Sequence, residues 1–510
     1  MLQRSRALVS VALAALTVAA GQPAWADDLQ TALALAYQTN PTLLAQRAEQ
    51  RALDETVPQA RAGLRPTLNA QGGVDYTRTR APTVTTSTGV DLDNDGIIDT
   101  VTTGGNSESD SLNLGLNLTQ TIYSAGRVGH GVTAAEAGVL AGRENLRRVE
   151  QQVLASVIQA YADVLRDVEI LRIRQANREV LRRQLDESNA RFEVGEITRT
   201  DVAQSEARLA QTEADLANAQ AQLSVSRAAY AAVVGQSPGT LDALPALPGL
   251  PADFETAMDV ALDDNPALRA AAFNQRAAEA RVAQARSAYL PSAQLTASYG
   301  GAGTLNDPDL ADRTSFRAGA SVSIPLFTGG LNRSRVAQAL EQANAAQIGV
   351  EGERRNVLQS VSSAYAQVVS ARSTLQAGQE AVRAASVAAE GVRQEAQVGL
   401  RTTLDVLNQE LELRSAEVTL ASARRNEYVA QAQLLAAMGR LEGPDLVAVE
   451  AYDPVANYNR VRLRGALPWD GVIEAIDRIA APPVVPAADA PDAPIDAQLK
   501  DGIIRTAPGA

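Results

Sequence analysis

The chain has 510 residues, a formal net charge of -13 and no cysteine. Its acidity argues against a nucleic-acid partner, and the missing cysteine excludes disulfides and a lipid-modified N-terminal cysteine, so stiffness must come from packing. Aromatic residues make up only 4%, too few for one large globular core and better suited to long helices packed through small side chains.

Arg4 and Arg6 precede an uncharged apolar run, Ala7 to Ala20, and the small-x-small sequence Ala24-Trp25-Ala26. That order is a secretory signal peptide over residues 1–26, with the mature chain expected to begin at Asp27. The run is shorter than the roughly 18–20 residues that a membrane-crossing helix needs. No apolar run of that length follows it, so any membrane span must be built from strands.

The rest of the chain is a duplication. Asn40-Pro41 recurs as Asn265-Pro266, Gln59-Ala60-Arg61 as Gln284-Ala285-Arg286 and Pro66 as Pro291, all at an offset of 225. Further on, Tyr123-Ser-Ala-Gly126 aligns with Phe327-Thr-Gly-Gly330, Tyr161 with Tyr365, Asp201-Val202 with Asp405-Val406 and Gly235 with Gly439, at an offset of 204. The register changes once, between Pro66 and Tyr123, so the first copy carries 21 extra residues there. A constant offset over so long a stretch marks an internal repeat. The first repeat is placed at 27–238, a Pro- and Leu-rich connector at 239–253 and the second repeat at 254–440.

Each repeat opens with an amphipathic helix, over 29–63 and 254–288, with its Asn-Pro near the start and Pro66 or Pro291 as the stop. A β-hairpin follows, over 67–123 and 292–326. In the first, Leu112, Leu114, Leu116 and Leu118 alternate with Asn113, Gly115, Asn117 and Thr119; in the second, Phe316, Ala318, Ala320, Val322 and Ile324 alternate with Arg317, Gly319, Ser321 and Ser323. Period two gives one apolar and one polar face. On an exported chain this pattern fits a transmembrane barrel with lipid outside and water inside; a soluble sheet lying on a core is the competing reading. Four strands cannot close a barrel, which needs at least about eight, and open edges in lipid leave backbone groups unpaired at several kcal/mol each. The chain must therefore oligomerise, as two, three or four copies.

A very long helical hairpin completes each repeat, over 127–234 and 331–438. Val149, Val153, Val157, Tyr161, Val164, Val168 and Leu171 recur at spacings of three and four, and no proline interrupts either outgoing run. At 1.5 Å per residue the outgoing helices, 127–193 and 331–397, reach about 100 Å. Such a helix is a coiled-coil rod, and the returning helix, about half as long, leaves room for the opening helix stacked above it. A C-terminal segment is placed at 441–479, within which 443–469 reads as ordered but irregular. Residues 480–510, rich in Pro, Ala and Asp, read as disordered.

These features together resemble the TolC family of outer-membrane efflux and type I secretion channels. The resemblance covers about 27–470 and rests on the paired Asn-Pro sites, the duplication, the two tips Val194-Gly195-x5-Asp201-Val202 and Val398-Gly399-x5-Asp405-Val406, and the C-terminal Tyr452-Asp453-Pro454. It implies an α+β membrane protein of the Gram-negative outer membrane extending into the periplasm: a homotrimer whose twelve-stranded β-barrel, four strands from each chain, continues into a twelve-helix periplasmic α-barrel girdled by the connector and C-terminal segment. It also implies docking on a periplasmic adaptor (membrane fusion protein) and an inner-membrane ABC or RND transporter, for protein secretion, drug efflux or both.

The resemblance further assigns roles at the hairpin tips. Val194, Gly195, Val398 and Gly399 would contact the adaptor. Arg401 would bond near Thr200 and Asp201 and help hold the entrance shut; a family tyrosine five residues before this arginine is Ala396 here. Of two aspartate positions in the family's entrance ring, this chain has Asp405 at one and Asn408 at the other. Ordinary helix capping explains the glycines and aspartates equally well.

Other candidates are fewer. Asp91, Asp93, Asp95 and Asp99, with Gly96 between them, carry oxygen ligands at alternate positions as a Ca²⁺ loop does, but Thr102 stands where such a loop has Glu. The segment would lie outside the cell, and an acidic solvated loop is the plainer reading. His130, the only histidine, is expected at a solvated helix start, and Arg143, Arg147 and Arg148 on a solvated face. No phosphate loop or catalytic constellation is present, so no enzyme activity and no further cofactor are expected. The alternative to a channel is a non-conducting structural coiled-coil protein of the envelope, which would need no polar strand face.

Overall fold

A computed structural model describes residues 28–87, 100–305, 307–311, 313–446, 450–486, 500–503 and 505. The signal peptide expected over 1–26, and Asp91, Asp93, Asp95 and Asp99, lie outside the described residues.

The opening helix of the first repeat is not one run but three: α1 (Leu29–Thr39), α2 (Pro41–Asp54) and α3 (Thr56–Arg61). The first break is at Asn40, whose extended backbone ends α1 while its side chain accepts from Thr42 and Leu43 N–H and so caps α2. The second has its cause in Pro58, which has no N–H for the Asp54 carbonyl and whose ring crowds it. In the second repeat Asn265 makes the same first break, between α6 (Phe254–Asp264) and α7 (Pro266–Arg286). Ala283 replaces the proline there, and α7 runs through unbroken. Both caps do more than start a helix. Asn40 Nδ2 donates to the Val233 carbonyl at 2.9 Å, and Asn265 Nδ2 to that of Ala437 at 2.9 Å, so each ties an opening helix to the end of a returning one. Asn40→Ala should lose the cap and strand a carbonyl, destabilising the fold by about 1–3 kcal/mol; chemical denaturation followed by helix content would measure it.

The strands β1 (Thr67–Ser87), β2 (Thr100–Tyr123), β3 (Ser292–Gly303) and β4 (Thr314–Ser323) form one antiparallel sheet in chain order. Its register lines up whole rows. Leu68, Leu118, Ala297 and Ala318 are neighbours across all four strands, and the next row is Asn69, Asn117, Ser298 and Arg317. One face of the sheet is therefore apolar and the other polar along its full width, with exposed Leu68, Leu116, Tyr299 and Phe316 on the apolar side. β1 and β4 each leave one edge unpaired within the chain. The extra residues of the first copy are extensions of β1 and β2: β2 meets β3 only from Leu112 onward, and the hairpin beyond it carries the Arg78–Glu108 ion pair at 3.2 Å.

The outgoing helices α4 (Arg127–Glu193) and α8 (Leu331–Gln397) have 67 residues each, and the returning α5 (Arg199–Val234) and α9 (Thr403–Met438) have 36 each. The largest cores lie midway along the long helices, where opening and returning helices meet. Leu33, Leu154, Ile158, Tyr161, Tyr230 and Leu435 build the first, and Met258, Leu358, Val361 and Leu434 the second. Tyr161 donates to the Asp242 carbonyl at 2.9 Å, which fastens the connector to this level, and burial pushes its phenol up. Towards the tips the packing turns polar: Asn177 meets Thr212 and Ser188 meets Ser205 between α4 and α5.

The C-terminal segment is more regular than its sequence suggests. It forms α10 (Gly443–Leu446), α11 (Pro454–Val461) and α12 (Asp470–Asp477), a strap lying on the first repeat. The Arg47 guanidinium sits between the Tyr37 and Tyr452 rings, Asp453 caps α11, and Asn457 donates to the buried Asp54 carboxylate at 2.8 Å. Arg464 pairs with Glu55, and Arg65 with Asp470 at 2.9 Å. The second repeat has Leu262, Ala272, Ala280 and Leu290 where the first has Tyr37, Arg47, Glu55 and Arg65, which explains the one-sided strap. Residues 500–503, expected to be disordered, form a helical turn against α6, with Lys500 paired to Asp259 and Ile503 packed on the second core.

Candidate functional site

The two hairpin tips are built alike. α4 ends in Val194, and Gly195 takes a left-handed φ of 79°, which lets its N–H reach the Phe192 carbonyl and the Glu196 N–H reach that of Arg191. The second tip repeats this: Gly399 at φ 81° donates to Ala396 and Leu400 to Glu395. Each returning helix then begins with a capping box. Thr198 accepts from the Asp201 N–H while Asp201 Oδ2 accepts from the Thr198 N–H and hydroxyl; Thr402 and Asp405 do the same. Val194, Val398 and Leu400 are exposed at the two ends.

The capping bonds from Thr198 and Thr402 hold the Asp201 and Asp405 carboxyls below their ordinary range. Arg401 is not placed as the family resemblance implies. Its Nε donates to Glu395 Oε2 at 2.7 Å, within its own tip, and that bond raises its basicity. The reason is local: the Schellman turn folds Arg401 back over the last turn of α8, where Glu395 is the carboxylate in reach. The first tip runs the opposite polarity, Arg191 to Glu196, in two hydrogen bonds. Thr200 is exposed, and it is Arg208 that links the two tips, donating to Asn408 Oδ1 at 3.1 Å.

Above the tips lie groups that the repeat pattern hides. Glu410 is almost fully buried and is held by Arg393 and Arg414. Its counterpart Glu206 is exposed and has Asn189 and Ala210 at the positions equivalent to the two arginines; comparing the copies for such lost partners is the signal that finds this trio. Higher still, Arg425 on α9 grips Asp163 on α4 at 2.8 and 3.3 Å, and Arg166 adds a third bond to that carboxylate. The hairpins of one chain are thus joined by Arg425–Asp163 midway and Arg208–Asn408 at the end.

His130 is more covered than a solvated helix start. It lines a cavity of about 330 Å³ with Arg61, Glu136, Glu474 and Asp477, beneath the strap, and burial pushes its imidazole down. Among the described residues no group of three or more His, Cys, Asp or Glu is placed to hold a metal. The arrangement as a whole offers two capped carboxylates at the hairpin tips and a sheet with one polar face.

Comparison with known proteins agrees with the family resemblance. The family model of outer membrane efflux proteins matches residues 32–236 and 257–440, one stretch in each repeat. The chain is 34% identical to the outer membrane efflux protein BepC of Brucella suis over 447 residues, covering 88% of this chain and 93% of that one. It is 29% identical to the outer membrane protein TolC of Vibrio cholerae, covering 87% and 97% respectively. Its fold superposes on the CmeC outer membrane channel of Campylobacter jejuni with a TM-score of 0.68 at 16% identity, over 85% of this chain and 89% of that one.

Proposed function

Because the chain belongs to the outer membrane efflux protein family, an export channel of the outer membrane, we propose that three copies close one barrel and that the duct works with a periplasmic adaptor and an inner-membrane ABC or RND pump. The observation that carries this reading is the pair of full-width rows on the sheet. A row such as Asn69–Asn117–Ser298–Arg317 has a use beside water, and Leu68–Leu118–Ala297–Ala318 has one beside lipid. A non-conducting rod needs neither. The chain does no covalent chemistry in this scheme, and the energy comes from the pump.

The exposed Val194, Val398 and Leu400 form the adaptor-facing ends of the tips, and Asp405 lines the entrance while the Arg208–Asn408 bond braces it. Asp91, Asp93, Asp95 and Asp99 would bind Ca²⁺ outside the cell; calorimetry on the full-length protein giving no heat at millimolar Ca²⁺ would remove that assignment. The resemblance of Tyr452-Asp453-Pro454 to the C-terminal segment of the family's secretion-type branch favours protein secretion over drug efflux. Deleting the gene should abolish export of at least one secreted protein or raise intracellular accumulation of efflux dyes, with rescue by the intact gene. Unchanged secretion and unchanged accumulation together would contradict the proposal.

A further inference from the structure

The strap ends in a helix that is inside out for a protein in water. Along α12 and its flanks Trp469, Val472, Ile476 and Ile479 are spaced by three, four and three residues, which puts them on one stripe. That stripe faces away from the protein, at 47%, 62%, 36% and 64% exposure. The side turned inward carries half-buried Ile473 and Glu474 together with two carboxylates that are tied to the first repeat. Asp477 is 1% exposed and accepts from the Ser124 N–H and hydroxyl; Asp470 accepts from Arg65. A helix docked in water would bury the apolar stripe and leave the carboxylates out. This one does the reverse, so the medium it faces is apolar.

Its position says which medium. α12 touches the end of β2, the start of α4 and the turn before β1, the level at which the sheet passes into the helices. Tyr123, the last residue of β2, donates to the Ile479 carbonyl at 2.8 Å. Exposed Tyr289, Leu326 and Phe327 lie at the same ends of β3 and β4, so at this level the sheet also exposes aromatic and aliphatic side chains. Arg478, beside Ile479, is exposed and pairs with Glu474 one turn back at 4.0 Å.

We propose that α12 lies in the periplasmic leaflet of the outer membrane, with Trp469, Val472, Ile476 and Ile479 inserted at the boundary between headgroups and acyl chains. Amphipathic helices lie in that plane, and tryptophan favours it. The helix fixes the height of the barrel in the bilayer and does the work of a lipid anchor in a chain that has no cysteine to acylate. The inference rests on the outer-membrane reading and adds a phospholipid contact to it.

Trp469 is one of only two tryptophans, the other being Trp25 in the expected signal peptide. The full-length protein can be reconstituted into phosphatidylethanolamine–phosphatidylglycerol vesicles, with Trp469→Phe as the control that assigns the signal. Brominated phospholipids should remove most of the Trp469 emission, those brominated near the headgroup more than those brominated at the chain end, while aqueous iodide quenches little. Ile476→Asp should reverse that ranking of quenchers. Strong quenching by iodide overturns the proposal, and so does shielding from both quenchers, which would mean that a neighbouring copy covers the stripe. Barrel insertion is scored separately on the same vesicles by ion conductance. An inserted barrel without lipid quenching defeats only this inference, whereas absence of insertion defeats the outer-membrane reading with it.

Discussion

Asp405→Ala should weaken block of the open channel by divalent cations by on the order of tenfold, because it removes the carboxylate with which the cation would pair. The expectation follows from the second tip. Of the two positions proposed for the entrance, Asp405 carries the carboxylate, since Asn408 holds the other and accepts from Arg208. In a trimer the ring thus carries one charge per chain, and one substitution removes it. Its pH dependence has a definite sign. The bonds from the Thr402 N–H and hydroxyl lower the folded-state pKa of Asp405. Block, and the cap that the carboxylate makes, are therefore fully present above the unfolded value of about 3.9, and both are lost only as pH falls through the lower folded value. Asp201→Ala breaks the same kind of cap in the first hairpin and serves as the control for altered tip structure. Single-channel recording at varied Mg²⁺ measures both variants; unchanged block in Asp405→Ala would remove it from the entrance.

The second large effect concerns the sheet edges. In a closed barrel every N–H of β4 is bonded, successive residues alternating between β3 and the neighbouring copy. In an open sheet only half of them are. Ala320→Pro and Ser321→Pro, made singly, remove one N–H of each kind. Closure predicts that both abolish the trimer, because each leaves an unpaired backbone group in lipid at several kcal/mol, repeated in every copy. An open sheet predicts that one of the two is tolerated. Electrophoretic mobility of unheated samples distinguishes the outcomes.

The sequence carries the regular parts of this fold because their causes are local. Unbroken runs without proline make α4 and α8, and period-two alternation makes the strands. The chain breaks in the opening helices are also local, but they look alike from a distance. Asn40-Pro41 reads as a helix start when it is at once the stop of α1, and Pro58 takes effect only through the carbonyl four residues before it. The strap is harder to read, since its order comes from partners hundreds of residues away: Asp54 for Asn457, Ser124 for Asp477, Arg65 for Asp470.

At the tips, capping is legible because Gly195, Thr198 and Asp201 act within a few residues of one another. The pairing of Arg401 is not, because it depends on the turn geometry that puts Glu395 in its reach. Arg208–Asn408 and Arg425–Asp163 join the two repeats at unequal positions, so the duplication offers no hint of them. The same asymmetry explains why Glu410, with two arginines, has a counterpart Glu206 with none.

The central claim is that copies of this chain enclose a water-filled path through the outer membrane. Purified full-length protein added to a planar lipid bilayer tests it most directly. A closed barrel gives discrete, long-lived conductance steps of uniform size that favour cations and shrink when Mg²⁺ is added on the side of the helical tips. Protein that binds the bilayer yet gives no steps above lipid leakage would contradict the claim.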